Sequence, residues 1–141
     1  MTIIEAINGV DNVKPNRYDQ PQKIKWLSTL DGIIKNEIID THEGGEEVKF
    51  NGYTDETNLL TKLLVPAPYD DIYIRYLEMQ IDYANGEYGK YNNSKVMYNT
   101  LYSAFAKYYN REHMPKSKKF KYFDRAKTPE YLVANEIAVV T

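Results

Sequence analysis

Apolar positions recur at spacings of three and four along two long stretches. Tyr69, Tyr73, Tyr76, Leu77, Ile81, Ala84 and Tyr88 fall on one helical face, while Asp71, Arg75, Glu78 and Asp82 lie largely elsewhere. Pro68 suits a helix entrance and biases Ala67 to extended geometry, and Asp70 and Asp71 are placed to accept the orphan amides of a first turn. A joint rich in glycine and asparagine, residues 86–93, separates this run from a second, Ser94 to His113, whose stripe is Tyr98, Leu101, Tyr102, Phe105 and Tyr109. Ala104 and Ala106 favour helix and permit close approach, and Met114-Pro115 stops the run. The pattern predicts a helical hairpin from Pro66 to His113 faced with tyrosine. Ten of the fourteen tyrosines lie between Tyr69 and Tyr109.

Two shorter helices are expected before it. Thr2-Ile3-Ile4-Glu5 matches a capping box, with Ile3, Ile7 and Val10 as the apolar face. Gly9 weakens that helix, and Asp11-Asn12 is its expected end. Asp19-Gln20-Pro21-Gln22 opens the next, with Asp19 as the cap and Gln22 reaching back. Its stripe is Ile24, Leu27, Leu30, Ile34 and Ile38, broadened by Trp26 and Ile33, and Asp40-Thr41 closes it. Gly32 inside it marks a close approach of another backbone. Residues 42–57 read as a long loop with turn signals at Gly44-Gly45 and Asn51-Gly52, where Val48, Phe50 and Tyr53 supply a short strand or hairpin. A loop of this length in a compact domain is usually functional or mobile. Leu59 to Val65 is apolar enough to re-enter the core. The expected fold is all-α: a small bundle of about four helices, a long acidic loop, and an extended C-terminal tail. Residues 1–115 form the helical domain and residues 116–141 the tail.

Bulk properties narrow the classes. A chain of 141 residues with 43% hydrophobic content suits one domain. With no cysteine, disulfides and thiolate sites are excluded, which fits a reducing interior or a particle assembled there. The longest aliphatic run, Ile137 to Val140, is too short to span a bilayer, and the start of the chain lacks the pattern of a signal peptide. A net charge of −2 argues against a dedicated nucleic-acid binder. That charge is unevenly spread. Residues 40–58 carry Asp40, Glu43, Glu46, Glu47, Asp55 and Glu56 against Lys49, and residues 114–127 carry six bases against Asp124.

Catalytic motifs are missing from the sequence. His42-Glu43 matches only half of H-E-x-x-H, since position 46 is glutamate, and it reads as an exposed loop pair. His113 suits a helix C-terminus, and nothing places the two histidines together. The carboxylate pairs Asp70/Asp71 and Glu46/Glu47 are explained by a helix start and a solvated loop. The chain has no Gly-rich phosphate loop, nucleophile elbow or Cys/His arrangement. The expectation is a non-enzymatic protein without cofactor or metal.

Tyrosine density is the sharper signal, because tyrosine gives large contact area with a polar handle at low entropic cost. Tyr83, Tyr91, Tyr98 and Tyr108 exceed what one stripe per helix needs and are candidate subunit-interface residues. Lys118, Lys119, Phe120, Tyr122 and Phe123 are candidates for docking on a neighbour or partner. The alternative for that segment is stacking on single-stranded nucleic acid, which would make this a nucleic-acid-associated protein.

Several stretches of the chain resemble a known group of proteins. Leu64-Val65-Pro66-Ala67-Pro68-Tyr69-Asp70 and Gln80-Ile81-Asp82-Tyr83-Ala84-Asn85-Gly86-Glu87-Tyr88-Gly89-Lys90-Tyr91-Asn92-Asn93 resemble small proteins encoded among prophage head genes of Gram-positive bacteria. Those in turn resemble the head–tail connector (adaptor) proteins of long-tailed phages. The likeness takes in Ile38-Ile39-Asp40-Thr41-His42 and Tyr108-Tyr109-Asn110-Arg111-Glu112-His113-Met114-Pro115, and covers roughly residues 1–123. It implies an α-helical subunit of a many-copy ring beneath the portal protein, a tail-completion or stopper protein as further partner, and DNA passing through without specific binding. It also implies a place in the virion, with assembly in the host cytoplasm, and no membrane partner. A channel through which DNA slides should not grip phosphates. On this reading Glu43, Glu46, Glu47, Asp55 and Glu56 face the lumen, and removing residues 116–141 leaves the bundle folded but abolishes portal binding.

Overall fold

The computed structural model describes residues 1–116. Four α-helices make up the bundle: α1 (Ile3–Val13), α2 (Gln20–Ile34), α3 (Ile72–Ala84) and α4 (Tyr88–Glu112). No strand ladder occurs among the described residues, only isolated bridges pairing Thr2 with Lys62 and His42 with Pro115. The hairpin expected around Asn51-Gly52 does not form. Gly52 turns the chain at φ +92°, and the side chains of Phe50 and Tyr53 meet edge-on over α2 instead of pairing backbones.

The capping box of α1 is present, with Glu5 N–H donating to Thr2 Oγ1 and Thr2 N–H to Glu5 Oε1. Two further orphan amides, Ile3 N–H and Ile4 N–H, donate to the carbonyls of Thr61 and Leu59. The re-entrant segment thus closes the start of α1, and the helix runs on past Asp11-Asn12 to Val13. Gly9 lies against α3, where an added Cβ would stand 2.6 Å from Ile74 Cδ1. In α2, Asp19 caps through the Gln22 amide. What approaches Gly32 is the Phe50 ring, at ordinary contact distance, rather than a backbone.

α-Helical geometry in α2 ends at Ile34, and one π turn, Lys35–Ile39, carries the chain to Asp40. The wider turn shifts the register, so that Ile34, Ile38 and Ile39 all reach the core. Lys35 Nζ then bonds Asp40 and the Gly45 carbonyl, folding residues 40–45 back over the helix end.

The core joins Ile3 and Val10 of α1, Ile24, Leu27, Leu30 and Ile34 of α2, and Ile72, Tyr73, Leu77 and Ile81 of α3 with Phe105 of α4. Burying each such side chain contributes about 1.5–3 kcal/mol. α3 and α4 form the expected hairpin, with a shorter joint. Gly86, at φ +74°, lets Gly86 N–H and Glu87 N–H return to the carbonyls of Tyr83 and Asp82, and helix resumes at Tyr88. Asp70 and Asp71 do not cap α3; they lie in a 3-10 turn, Tyr69–Asp71, and Asp71 pairs with Arg75 one turn on.

Candidate subunit interface

α4 is 25 residues long, yet only Ser94, Phe105 and Tyr109 are buried along it. Its inner face carries the tyrosine stripe. Tyr98 packs 5.4 Å from Tyr76 and 6.0 Å from Tyr102, and Tyr108 lies 5.1 Å from Tyr69. Tyr91 is 5.3 Å from Tyr83. Among the four candidate interface tyrosines, Tyr91, Tyr98 and Tyr108 are therefore half-buried within their own chain, whereas Tyr83 is 57% exposed. With Tyr88, 59% exposed, it forms an aromatic cluster at the tip of the hairpin.

The opposite face of α4 carries an open groove of about 680 Å³, lined by Tyr69, Val96, Asn99, Thr100, Ser103, Ala104, Lys107 and Arg111. Val96 is 65% exposed. Tyr69 comes from the turn before α3; the others recur at spacings of three and four, so they share one side of α4. Sequence reasoning missed this side because it follows apolar periodicity, and most of these residues are small or polar. The available signal was the complement of the tyrosine stripe: a second periodic set with lysine and arginine but no acid.

The acidic loop is held at the end of α4. Glu43 N–H donates to the Met114 carbonyl and Lys116 N–H to the Thr41 carbonyl, so residues 114–116 pair with the loop rather than leaving the bundle at once. Glu43, Glu46, Glu47, Asp55 and Glu56 are all exposed. Glu46 and Glu47 stand on a 3-10 turn, Gly45–Glu47. Lys118, Lys119, Phe120, Tyr122 and Phe123 lie outside the described residues, as does the apolar stretch after them.

His42 is not an exposed loop residue. It is buried, with Nδ1 2.5 Å from the Ile38 carbonyl oxygen and Nε2 2.6 Å from Asn110 Oδ1. Tyr109 lies between the two histidines. Its ring meets His42 edge-on at 4.9 Å and stacks on His113 at 3.9 Å. The pair that the sequence left apart is thus one aromatic stack locking the loop to α4.

Two carboxylates are wholly buried. Asp31 accepts from Tyr73 Oη and Tyr53 Oη at 2.6 Å each and from Leu64 N–H at 3.1 Å. Burial pushes its carboxyl above the ordinary range, and the three donors only partly offset this. The Tyr53 and Tyr73 phenols are pushed up in turn, by burial first and then by the Asp31 charge. Asp82 ties the hairpin corner to α1. Ser94 Oγ donates to its Oδ2 at 2.8 Å, and Lys14 Nζ lies 3.0 Å from Oδ1 as an ion pair without hydrogen-bond geometry. Neither carboxylate opens on a cleft, so both are structural ties.

Among the described residues, no cluster of three or more histidine or acidic side chains is arranged to hold a metal, and no helix is long and apolar enough to cross a membrane. No protein-family model, no characterised protein and no solved structure matches this chain.

Proposed function

We propose that this chain is a structural virion protein, a head–tail connector that forms a ring under the portal and joins capsid to tail. The observation that supports the reading is the outer face of α4: a long helix held to the bundle by one side, with an open groove along the other. A solvated polar face is ordinary for a surface helix, but this one also exposes Val96, at 65%, beside the groove. A subunit that must meet neighbours needs such a face. The resemblance of residues 64–70 and 80–93 to prophage head-gene proteins supplies the partner.

The deciding measurement is native mass, taken on the protein alone and with a phage portal protein present. Many copies bound per portal ring are expected, with no salt-dependent mobility shift on DNA. Failure to bind portal at any ratio would overturn this reading, and a salt-dependent DNA shift would favour the nucleic-acid one.

A further inference from the structure

We infer that the groove on α4 receives the acidic loop of a second copy of this chain, so that copies join head to tail. This rests on the ring reading and deepens it by naming the two surfaces that meet, with Glu43, Glu46 and Glu47 at the contact between copies instead of at the lumen.

Charge complementarity selects the occupant. The groove holds Lys107 and Arg111 and is lined by no acid. Neither cation has an ion-pair partner among the described residues. The loop supplies the opposite sign: Glu43, Glu46 and Glu47 are exposed and have no ion-pair partner among the described residues. Lys49, the base nearest in sequence, bonds the Glu46 carbonyl rather than a carboxylate.

Preorganisation favours the same pairing. Glu46 and Glu47 sit on a short turn fixed from beneath, because the Gly45 carbonyl accepts from Lys35 Nζ and Gly45 itself is buried against Ile39 and Asp40. Presenting both carboxylates from this turn loses little conformational freedom on docking. The small side chains of Ser103, Ala104 and Thr100 leave room for a compact turn to enter.

Symmetry argues against the simpler alternative. Two copies packed groove to groove would enclose four cations with no acid in either lining. Loop into groove joins two different surfaces, a heterologous contact that closes into a ring when the rotation allows. Opposite charges also steer the encounter and penalise wrong partners.

The absence of native cysteine makes the contact directly testable in the full chain. Glu46→Cys and Ser103→Cys are prepared as separate variants, checked for native helicity, and mixed under mild oxidation with and without the portal protein. A mixed disulfide between the two variants is expected, and the double variant should give a ladder of linked multimers. In that double variant, Lys107→Glu with Arg111→Glu should lower the yield roughly tenfold, and Glu43→Lys with Glu47→Lys should restore it. No mixed disulfide in either condition, or Ser103→Cys linking to itself as readily as to its partner, overturns the contact. Portal binding without the mixed disulfide overturns this contact and leaves the connector reading standing. A mixed disulfide without portal binding supports the contact and counts against that reading.

Discussion

Tyr73 Oη donates a 2.6 Å hydrogen bond to Asp31 Oδ1 in the middle of the core, and itself accepts from Val65 N–H at 2.7 Å. One phenol therefore joins α2, α3 and the re-entrant segment. Removing it leaves a carboxylate one donor short and a buried amide without its acceptor. Tyr73→Phe is expected to destabilise the fold by about 2–4 kcal/mol in urea unfolding, since each buried group left unpaired costs roughly 1–3 kcal/mol.

The same carboxylate gives a pH signature. Burial raises the Asp31 pKa in the folded state above its ordinary 3.8. A raised folded value means that its stabilising contribution is complete below pH 3.8 and is lost as pH climbs toward the folded value. The stability of the wild type relative to Asp31→Asn should fall over that window, by at most about 1.4 kcal/mol per pH unit. Chemical unfolding at several pH values measures it, and a flat difference would contradict the assignment.

At high pH the buried phenols act in the same direction. Tyr53, Tyr73, Tyr98 and Tyr102 are all pushed above the ordinary 10, by burial first and then by neighbouring charges on Asp31, Glu37 or Tyr76. In the unfolded chain they ionise near 10. Stability should therefore fall as pH rises past that value, and a spectral titration should show these tyrosinates appearing together with loss of helical circular dichroism.

Asp82 predicts a coupling across the hairpin corner. Lys14→Met and Ser94→Ala should each be destabilising alone and less than additive with Asp82→Asn. A double-mutant cycle is expected to give an interaction of about 0.5–3 kcal/mol, the range for residues sharing one network. Additive effects would mean that the corner is held by packing alone.

Gly45 and Tyr83 separate fold from surface. A Cβ at Gly45 would collide with the Ile39 carbonyl oxygen and meet Asp40 Cα at 3.0 Å, both backbone atoms that cannot swing aside. Gly45→Ala should cost about 1–3 kcal/mol, as overpacking does. Tyr83→Ser removes an exposed ring and should change stability by no more than about 0.5 kcal/mol. If Tyr83 belongs to an intersubunit surface, the same substitution should weaken portal-dependent assembly at unchanged melting temperature.

Much of the helical framework was legible because local signals agreed with one another. The Thr2–Glu5 box, the Asp19 cap with Pro21, and the stripes of α2 and α3 all demand helix at those places, and helix is there. Local rules failed where a distant partner overrode them. Gly89, Asn92 and Asn93 are poor helix formers, yet α4 starts at Tyr88, where Tyr91 finds the core and Ser94 finds Asp82. His42 looked like loop surface because its partner, Asn110, stands 68 positions away. The tyrosine surplus looked like interface because a sequence cannot tell which rings meet rings of their own chain.

By itself, then, the sequence determined that about four helices form, where α1 and α2 begin, which faces are apolar, and how the acidic and basic stretches are segregated. All of these depend on neighbours within a few positions. Tertiary structure alone decided that Asp31, Asp82 and His42 are buried ties, that most tyrosines turn inward, and that one basic face of α4 stays open. Those outcomes depend on which residues far apart in the chain are brought within a few ångströms, and no local spacing encodes that.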